Sequence, residues 1–340
     1  MNWALLDWTR LAGLRQNFLN PEYIDGPYWS SLEDLDLYDA TFGRRIAWKW
    51  EAVLTELKAR GWSPTGSSLL DWGCGSAVAS EVFMNNFSVL ASALASKVSG
   101  ADLQLWDYSD LAIEYSIKKM SSKGASVRKK DSEGISSVDV LLISHVLNEL
   151  SAESLAHLKK QIKQARQVVW VESGGMEVSR NLSRIRDELL SSGAFRVVAP
   201  CTHAASCGML VEPNAHNWCH SFAFAPPEVH QSSDWSLFSE RMKIDLRRVA
   251  YSFLVLERVE AGASTEVSTS ARVIGEARFY KGYAKLLACT EDLGVSELIL
   301  QKRNSAEAFK ILGKKRYPLL WDLEHAQGKI TRMSPASTIG

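Results

Sequence analysis

Two groups of residues in this chain combine the types and spacing that chemistry needs. The first is residues 67–77, SSLLDWGCGSA, where an apolar run ends in Asp71 and the chain turns through Gly73 and Gly75. This pattern reads as a buried strand handing the chain to a helix across a tight turn. A residue with no Cβ lets the backbone bend sharply and lets a ligand lie against it. The residue three after Gly75 is Val78, so the dinucleotide fingerprint G-x-G-x-x-G is incomplete and the pattern is D-x-G-x-G-x-A. A carboxylate just ahead of the first glycine suits a ligand with a cationic amino group better than a pyrophosphate. S-adenosylmethionine (SAM) is such a ligand. Residues 101–107, ADLQLWD, form a second strand-like run closed by an acid. In nucleotide-binding α/β folds an acid at that strand end accepts hydrogen bonds from ribose hydroxyls. Asp107 takes that role here, the competing reading being a cap on the helix that starts near Ser109. Asp131, after a weak strand at 127–129, could accept from an adenine amino group or simply form a turn. Ser144 and His145 follow the apolar run 138–143. Asp71, Gly73, Gly75, Asp107, Asp131 and Ser144 are the expected cofactor-binding set.

The second group is cysteine-rich. Residues 200–220, PCTHAASCGMLVEPNAHNWCH, have no usable period but hold Cys201, Cys207 and Cys219 together with His203, His216 and His220. Cys289 follows on a strand-like apolar run. Thiolates from an irregular loop and a fourth from a remote strand can converge on one centre, as in many iron–sulfur proteins. The spacing is not C-x-x-C, so zinc-finger geometry is not specified, and four cysteines suit a tetrahedral zinc or a cubane cluster equally. The histidines keep a mixed Cys/His zinc site open, and each cysteine could instead be a small buried apolar residue. Cys74 is a small residue of the glycine turn.

Around these groups the chain alternates. Residues 1–20 read as a packing helix, 38–61 as one strong helix with Phe42, Ile46, Trp50 and Val53 on one face, and Arg44, Arg45 and Lys49 as a solvated basic face. From residue 64 onward the expected order is strand 67–71, helix 78–95, strand 102–106, helix 111–120, strand 127–129, strand 138–143, helix 151–164, strand 168–172, helix 178–191 and strand 194–199. Such alternation predicts a mostly parallel sheet with helices on both faces and ligands beyond the carboxyl ends of its strands. Residues 221–240 read as loop, 249–256 as a last strand, 260–269 as a polar hairpin or loop, and 272–275, 282–289 and 295–301 as short strands before a basic tail at 302–318. The expected fold class is a Rossmann-like α/β sheet of the SAM methyltransferase type. Its divisions are an N-terminal helical region (1–63), a methyltransferase domain (64–258) with a cysteine-rich insert at 200–240, and a small β-rich module (259–340).

Bulk properties set bounds. The 340 residues are 46% hydrophobic and 23% charged, with a formal net charge of zero. That composition is ordinary for a soluble globular protein with a real core, and it builds in no overall attraction to nucleic acid or membrane. No run is long and apolar enough for a membrane span. The start shows no secretory pattern, and Asp7 argues against an acid-poor transit peptide. The expected compartment is a reducing cytosol, where cysteines are more often reactive or metal-binding than paired.

DWGCGSA, SHVLNEL at 144–150, APCTHAASCGMLVEPNAHNWCH at 199–220 and RVIGEARFYKGYAKLLAC at 272–289 resemble the methyltransferase-like proteins associated with assembly of the mitochondrial ribosomal small subunit and their bacterial relatives. The resemblance covers roughly residues 38–310 and is most specific in the cysteine segment. It implies a SAM-dependent methyltransferase fold carrying a [4Fe-4S] cluster on Cys201, Cys207, Cys219 and Cys289. Small-subunit ribosomal RNA is the implied partner, with neither membrane nor DNA expected, in bacterial cytoplasm or, in a eukaryote, the mitochondrion. Relatives lead one to expect a proline after the second cysteine and a more basic strand before the fourth, where this chain has Gly208 and ARFYKGYAK. No N-P-P-Y or D-P-P-Y tetrad follows residue 143, and no cysteine sits where a covalent base-methylation mechanism would need it. The catalytic residue is therefore unassigned, with Glu149 and His145 as candidates. Two other readings stay open: a non-catalytic RNA-binding assembly factor on the same scaffold, and a zinc-binding small-molecule methyltransferase. From residue 193 onward there are 18 Lys and Arg against 15 Asp and Glu, and residues 302–316 alone hold six against one, so the late segment could meet phosphate.

Overall fold

The computed structural model describes Trp3 and residues 6–19, 29–95, 102–130, 134–259, 270–314 and 316–336. Asp131 and the expected hairpin at 260–269 lie outside the described residues. The chain divides into two compact units, one formed by Met1–Lys58, Trp62–Ser173 and Phe222–Tyr251, the other by Ala59–Gly61, Gly174–Ser221 and Ser252–Gly340.

The first unit is built on a parallel sheet. Its strands are β1 (Ser68–Trp72), β2 (Asp102–Trp106), β3 (Val127–Lys129), β4 (Val138–Ser144) and β5 (Ala165–Ser173), in the order β3-β2-β1-β4-β5. All four pairings are parallel. β1 and β4 are near-continuous apolar runs because a central parallel strand is covered on both faces. Helices α1 (Trp8–Leu19), α2 (Leu32–Ala40), α3 (Phe42–Ala59), α4 (Val78–Asn86), α5 (Ser88–Ala95), α6 (Asp110–Ser122) and α7 (Ala152–Ile162) surround it. Ser31, Ser109 and Ser151 cap α2, α6 and α7, each side chain accepting from a first-turn backbone N–H. This is a parallel α/β sheet flanked by helices, as the alternating sequence leads one to expect.

Two expected helices are each split. The run 38–61 breaks at Thr41, whose hydroxyl donates to the Leu37 carbonyl at 2.5 Å while its backbone leaves the helical region. The run 78–95 breaks at Phe87, which turns out of the helix to pack its ring on Phe83 and Trp62. Residues 221–240 are not simply loop. After β7 (Ser221–Ala223) comes a helix at Ser233–Met242 capped by Ser232. Its Phe238 and Trp235 rings meet Phe42 and Trp48 of α3.

The second unit holds α8 (Met176–Ser191), β6 (Phe195–Ala199), the cysteine segment and a closed barrel; the helix at Ser233–Met242 is numbered α9. β6 pairs antiparallel with β8 (Val249–Arg258) from Phe195↔Arg258 onward. The barrel strands are β9 (Ser270–Tyr280), β10 (Tyr283–Thr290), β11 (Gly294–Gln301), β12 (Leu320–Ala326) and β13 (Lys329–Pro335), with α10 (Ala306–Leu312) between β11 and β12. Around the barrel the order is β10-β11-β13-β12-β9. Val273, Leu286, Leu298, Leu300, Trp321 and Ile330 fill it, and Ala308 and Leu312 of α10 pack against them. The basic stretch 302–318 is therefore not a tail: it carries α10, and two further strands follow. Among the described residues no helix is long and apolar enough to cross a membrane.

Candidate functional site

At the carboxyl ends of β1, β2, β4 and β5 the first unit encloses a cavity of about 330 Å³. The glycine turn forms its floor. Gly73 (φ +72°) and Gly75 (φ +51°) are both left-handed, a conformation that costs any residue with a Cβ. A Cβ on Gly73 would also lie 2.5 Å from Val146 Cγ1, whereas one on Gly75 would meet nothing within 4 Å. The turn is tied to the next strand: the N–H groups of Gly73 and Cys74 donate to the Trp106 carbonyl at 2.8 and 3.0 Å. Trp72 and Trp106 are register partners in β1 and β2, and their rings stack with 4.4 Å between centroids. On the far side of the turn Lys119 binds Asp39, Glu81 and the Ser76 carbonyl, and Ser76 Oγ donates to Asp39.

Asp107 lines this cavity. Its Oδ2 accepts from Gly75 N–H and its Oδ1 from Ser109 N–H, both at 2.9 Å. The helix cap is Ser109 itself, which accepts from Ala112 N–H. A carboxylate offers about four acceptor positions, so Asp107 keeps capacity for a ligand's hydroxyls. Burial raises its pKa against the pull of the Ser109 and Gly75 N–H groups. Asp71 stands behind the turn, fully buried, its Oδ2 accepting from Ser80 N–H at 3.2 Å and Ser80 Oγ at 2.7 Å. Its Oδ1 has no hydrogen-bond partner. Burial pushes this carboxyl up to about 6. Ser144 Oγ, on the cavity wall, accepts from Trp50 Nε1 at 2.9 Å.

The wall opposite the turn comes from α2 and α3, and here the sequence reading is corrected. Of the three residues expected on a solvated basic face, Arg44 alone is exposed. Arg45 and Lys49 line the cavity. Lys49 is 7% exposed and its Nζ donates to His145 Nε2 at 2.7 Å. Among the described residues Arg45 Nε is buried without a hydrogen-bond partner. Position 49 lies three residues after Ile46, so the apolar periodicity of α3 already placed it inward; its charge obscured that.

Four titratable groups are drawn toward neutrality at this wall. Burial pulls Lys49 down to about 7, helped by Arg45 and opposed by Glu172. Burial, Lys49 and Arg45 hold His145 well below its usual value. His145 also sits at φ +57°, unusual for a residue with a side chain. Burial pushes Glu149 up to about 8, with Glu172 and Asp107 adding to it. Glu172, at the end of β5, is pushed up to about 7 by burial, although Trp170 Nε1 and the N–H groups of Leu147 and Val146 all donate to its Oε1. Glu172 was legible in the sequence only as a strand end.

The cysteine segment belongs to the second unit. α8 holds it by its carbonyl groups. Arg180 Nη1 donates to the carbonyls of Met209, Asn214 and Asn217, and Arg186 donates to those of Ala205 and His203, both at 2.5 Å. Ser179 Oγ bonds the Cys219 carbonyl, and Asp187 accepts from Cys207 N–H at 2.9 Å. Asn214 Nδ2 joins the loop to the barrel through the carbonyls of Gly208 and Val295. Gly208 is required by that contact, since a Cβ there would lie 2.5 Å from the Val295 backbone nitrogen.

Cys207, Cys219 and Cys289 pack around Met209, Ile274 and Val295. Cys289 Sγ is 3.4 Å from His203 Nε2 and 4.0 Å from Thr202 Oγ1. Burial pushes Cys289 up to about 12, with Cys201 adding to it. Cys219 is raised by burial, eased by Arg272 and raised further by Cys201, Cys207 and Cys289. His220 is turned elsewhere, its Nδ1 donating to the Trp218 carbonyl and its ring stacked on Trp218. Among the described residues no group of three or more His, Cys, Asp or Glu side chains is gathered as a metal-ion site.

Comparison with known proteins adds the family. No curated protein matches the sequence significantly. Among solved structures, the magnesium protoporphyrin IX methyltransferase ChlM from Synechocystis PCC 6803 with bound SAH is similar at 14% identity and TM-score 0.38, over 74% of this chain and 97% of that one. A SAM dependent methyltransferase from Aquifex aeolicus is similar at 16% identity and TM-score 0.37, over 51% and 93%. Residues 44–321 match the family described as Mitochondrial small ribosomal subunit Rsm22. That match runs from α3 into β12, through the glycine turn and all four cysteines of the segment and β10, and the chain therefore belongs to the Rsm22 family.

Proposed function

We propose that this protein is a SAM-dependent methyltransferase of the small ribosomal subunit, acting on its ribosomal RNA during assembly and carrying a [4Fe-4S] cluster. The observation that carries the reading is the cavity beside the glycine turn, where Asp107 keeps free acceptor capacity and Arg45 Nε is buried with no hydrogen-bond partner among the described residues. Those groups fit the ribose hydroxyls and the carboxylate of SAM, and the left-handed glycines leave the floor open. When bound, SAM supplies a methyl group activated on a sulfonium. Asp107 and Arg45 orient the ligand, and Asp71 braces the turn through Ser80. Lys49 is the group suited to take a proton: burial leaves its Nζ largely uncharged above about pH 7. His145 is too weak a base, and Glu149 keeps its proton to about 8 and acts as a donor.

For the second site the donor set is four cysteines, of which Cys207, Cys219 and Cys289 pack on an apolar floor, with the Arg272 guanidinium acting on Cys219 and Cys289 and that of Arg186 on Cys207. Cys201, Cys207, Cys219 and Cys289 would hold the cluster. SHVLNEL in place of a base-amine tetrad favours a second reading, a non-catalytic assembly factor on the same scaffold. Transfer of labelled methyl from SAM to small-subunit RNA, present in wild type and lost in Asp107→Ala, supports the enzyme. RNA binding with no transfer supports the scaffold. Protein purified without oxygen should be brown and absorb near 400 nm, whereas a colourless zinc-loaded preparation removes the cluster from the proposal.

A further inference from the structure

The barrel carries a surface that neither the methyltransferase pocket nor the cysteine segment uses. Numbered within the barrel, its strands run first-second-third-fifth-fourth and close on the first, with the third and fifth, β11 and β13, parallel and a helix between the third and fourth. This is the Greek-key arrangement of the OB-fold, whose second and third strands and adjoining loops form the ligand face. A fold does not assign a function, so the residues at that place decide.

At the β9–β10 turn Tyr280 and Tyr283 are register partners. Their rings lie 9° from parallel with 4.8 Å between centroids. Tyr280 is 45% exposed, and neither ring belongs to the barrel core. Two stacked rings at a tight hairpin, Tyr280 exposed and Tyr283 half-buried, form the kind of platform on which nucleic-acid bases stack. Cations surround it. Lys281 lies in the turn, and Lys302 is joined to that turn through its N–H on the Gly282 carbonyl. Arg303 follows, and Lys329 opens β13 as the register partner of Ile299 on β11. All four are exposed. Arg278 and Lys285 are engaged with Glu297, but Lys281, Lys302 and Lys329 have no acidic partner among the described residues. Neutral oligosaccharide, the other common OB-fold ligand, has no need of unpaired cations.

We propose that the β9–β10–β11 face of the barrel binds single-stranded RNA, with Tyr280 and Tyr283 stacking on bases and Lys281, Lys302, Arg303 and Lys329 meeting phosphates. The choice of RNA rests on the small-subunit reading above; the stacking and the charge do not. The test uses the full chain and a fluorescently labelled single-stranded RNA of about 12 nucleotides, followed by anisotropy across a salt series. Tyr280→Ala/Tyr283→Ala should weaken binding at least tenfold at an unchanged salt slope, and Tyr280→Phe/Tyr283→Phe should bind within about twofold of wild type. Lys281→Gln/Lys302→Gln/Lys329→Gln should lower the salt slope by about 2. The far-UV circular dichroism and urea midpoint of each variant, measured on the same preparations, should match wild type and show that the barrel is folded. Wild-type affinity in the alanine variant overturns the surface and leaves the small-subunit reading standing. Tighter binding of single-stranded DNA of the same sequence overturns the choice of RNA. A wild-type chain that binds no single-stranded RNA overturns both.

Discussion

Lys49 shows how much one side chain can depend on its surroundings. On an isolated helix it would be a solvated cation; here it meets a neutral imidazole inside a closed wall. Its pKa and that of Glu149 move in opposite directions, and so do their effects on stability. Glu149 has an ordinary value of 4.5 and about 8 in the fold. Between those values the folded chain binds the extra proton, so this group's contribution is complete at low pH and is lost as pH rises through about 8. Lys49 falls from 10.5 to about 7. The unfolded chain then binds the extra proton, and its contribution is lost as pH falls through about 7. Relative to wild type, the urea midpoint of Glu149→Gln should therefore gain as pH rises from 6 to 9, and that of Lys49→Met should lose. Arg45→Ala should weaken SAM at least tenfold by titration calorimetry, since a charge-assisted bond to a carboxylate is worth about 1.5–3 kcal/mol. Asp107 was legible because strand-end acids announce themselves by position. Arg45, Lys49 and Glu172 were not, because a charge in a sequence reads as solvent-facing until the neighbouring elements are in place.

The glycine turn and the cysteine segment are elements defined by what they exclude. Gly73→Ala would need a left-handed alanine and a Cβ 2.5 Å from Val146. It should cost about 2–4 kcal/mol in urea unfolding and abolish SAM binding. Gly208→Ala pushes against a backbone nitrogen of β11, so residues 200–220 should gain protease sensitivity while SAM affinity stays as in wild type. Arg186→Met leaves the carbonyls of His203 and Ala205 unpaired, a loss of about 1–3 kcal/mol that hydrogen exchange should localise to the same segment. The parallel strands were legible as uninterrupted apolar runs. α9 was hidden by its serines, though Ser232 and the Trp235, Phe238, Met242 spacing mark it afterwards. β12 and β13 were hidden because half of each faces water and carries charge.

At the scale of the whole molecule, alternation of strands and helices was enough to anticipate the α/β unit, but nothing local anticipates a barrel closed by a parallel β11–β13 pair. A net charge of zero likewise conceals an uneven distribution. The two candidate sites lie in separate units, so with the proposed cluster in place Cys289→Ser should remove its absorbance near 400 nm and leave SAM affinity within about twofold. The cysteines also have an order in time. Cys201, Cys207 and Cys219 leave the ribosome at least seventy positions ahead of Cys289, and α8, already synthesised, can shape their loop through Arg180 and Arg186. The fourth thiol takes its place only when β10 finds β9 and β11. Nascent chains halted before residue 289 would carry three of the four thiols, and the proposed cluster could be completed only once β10 has been translated and paired.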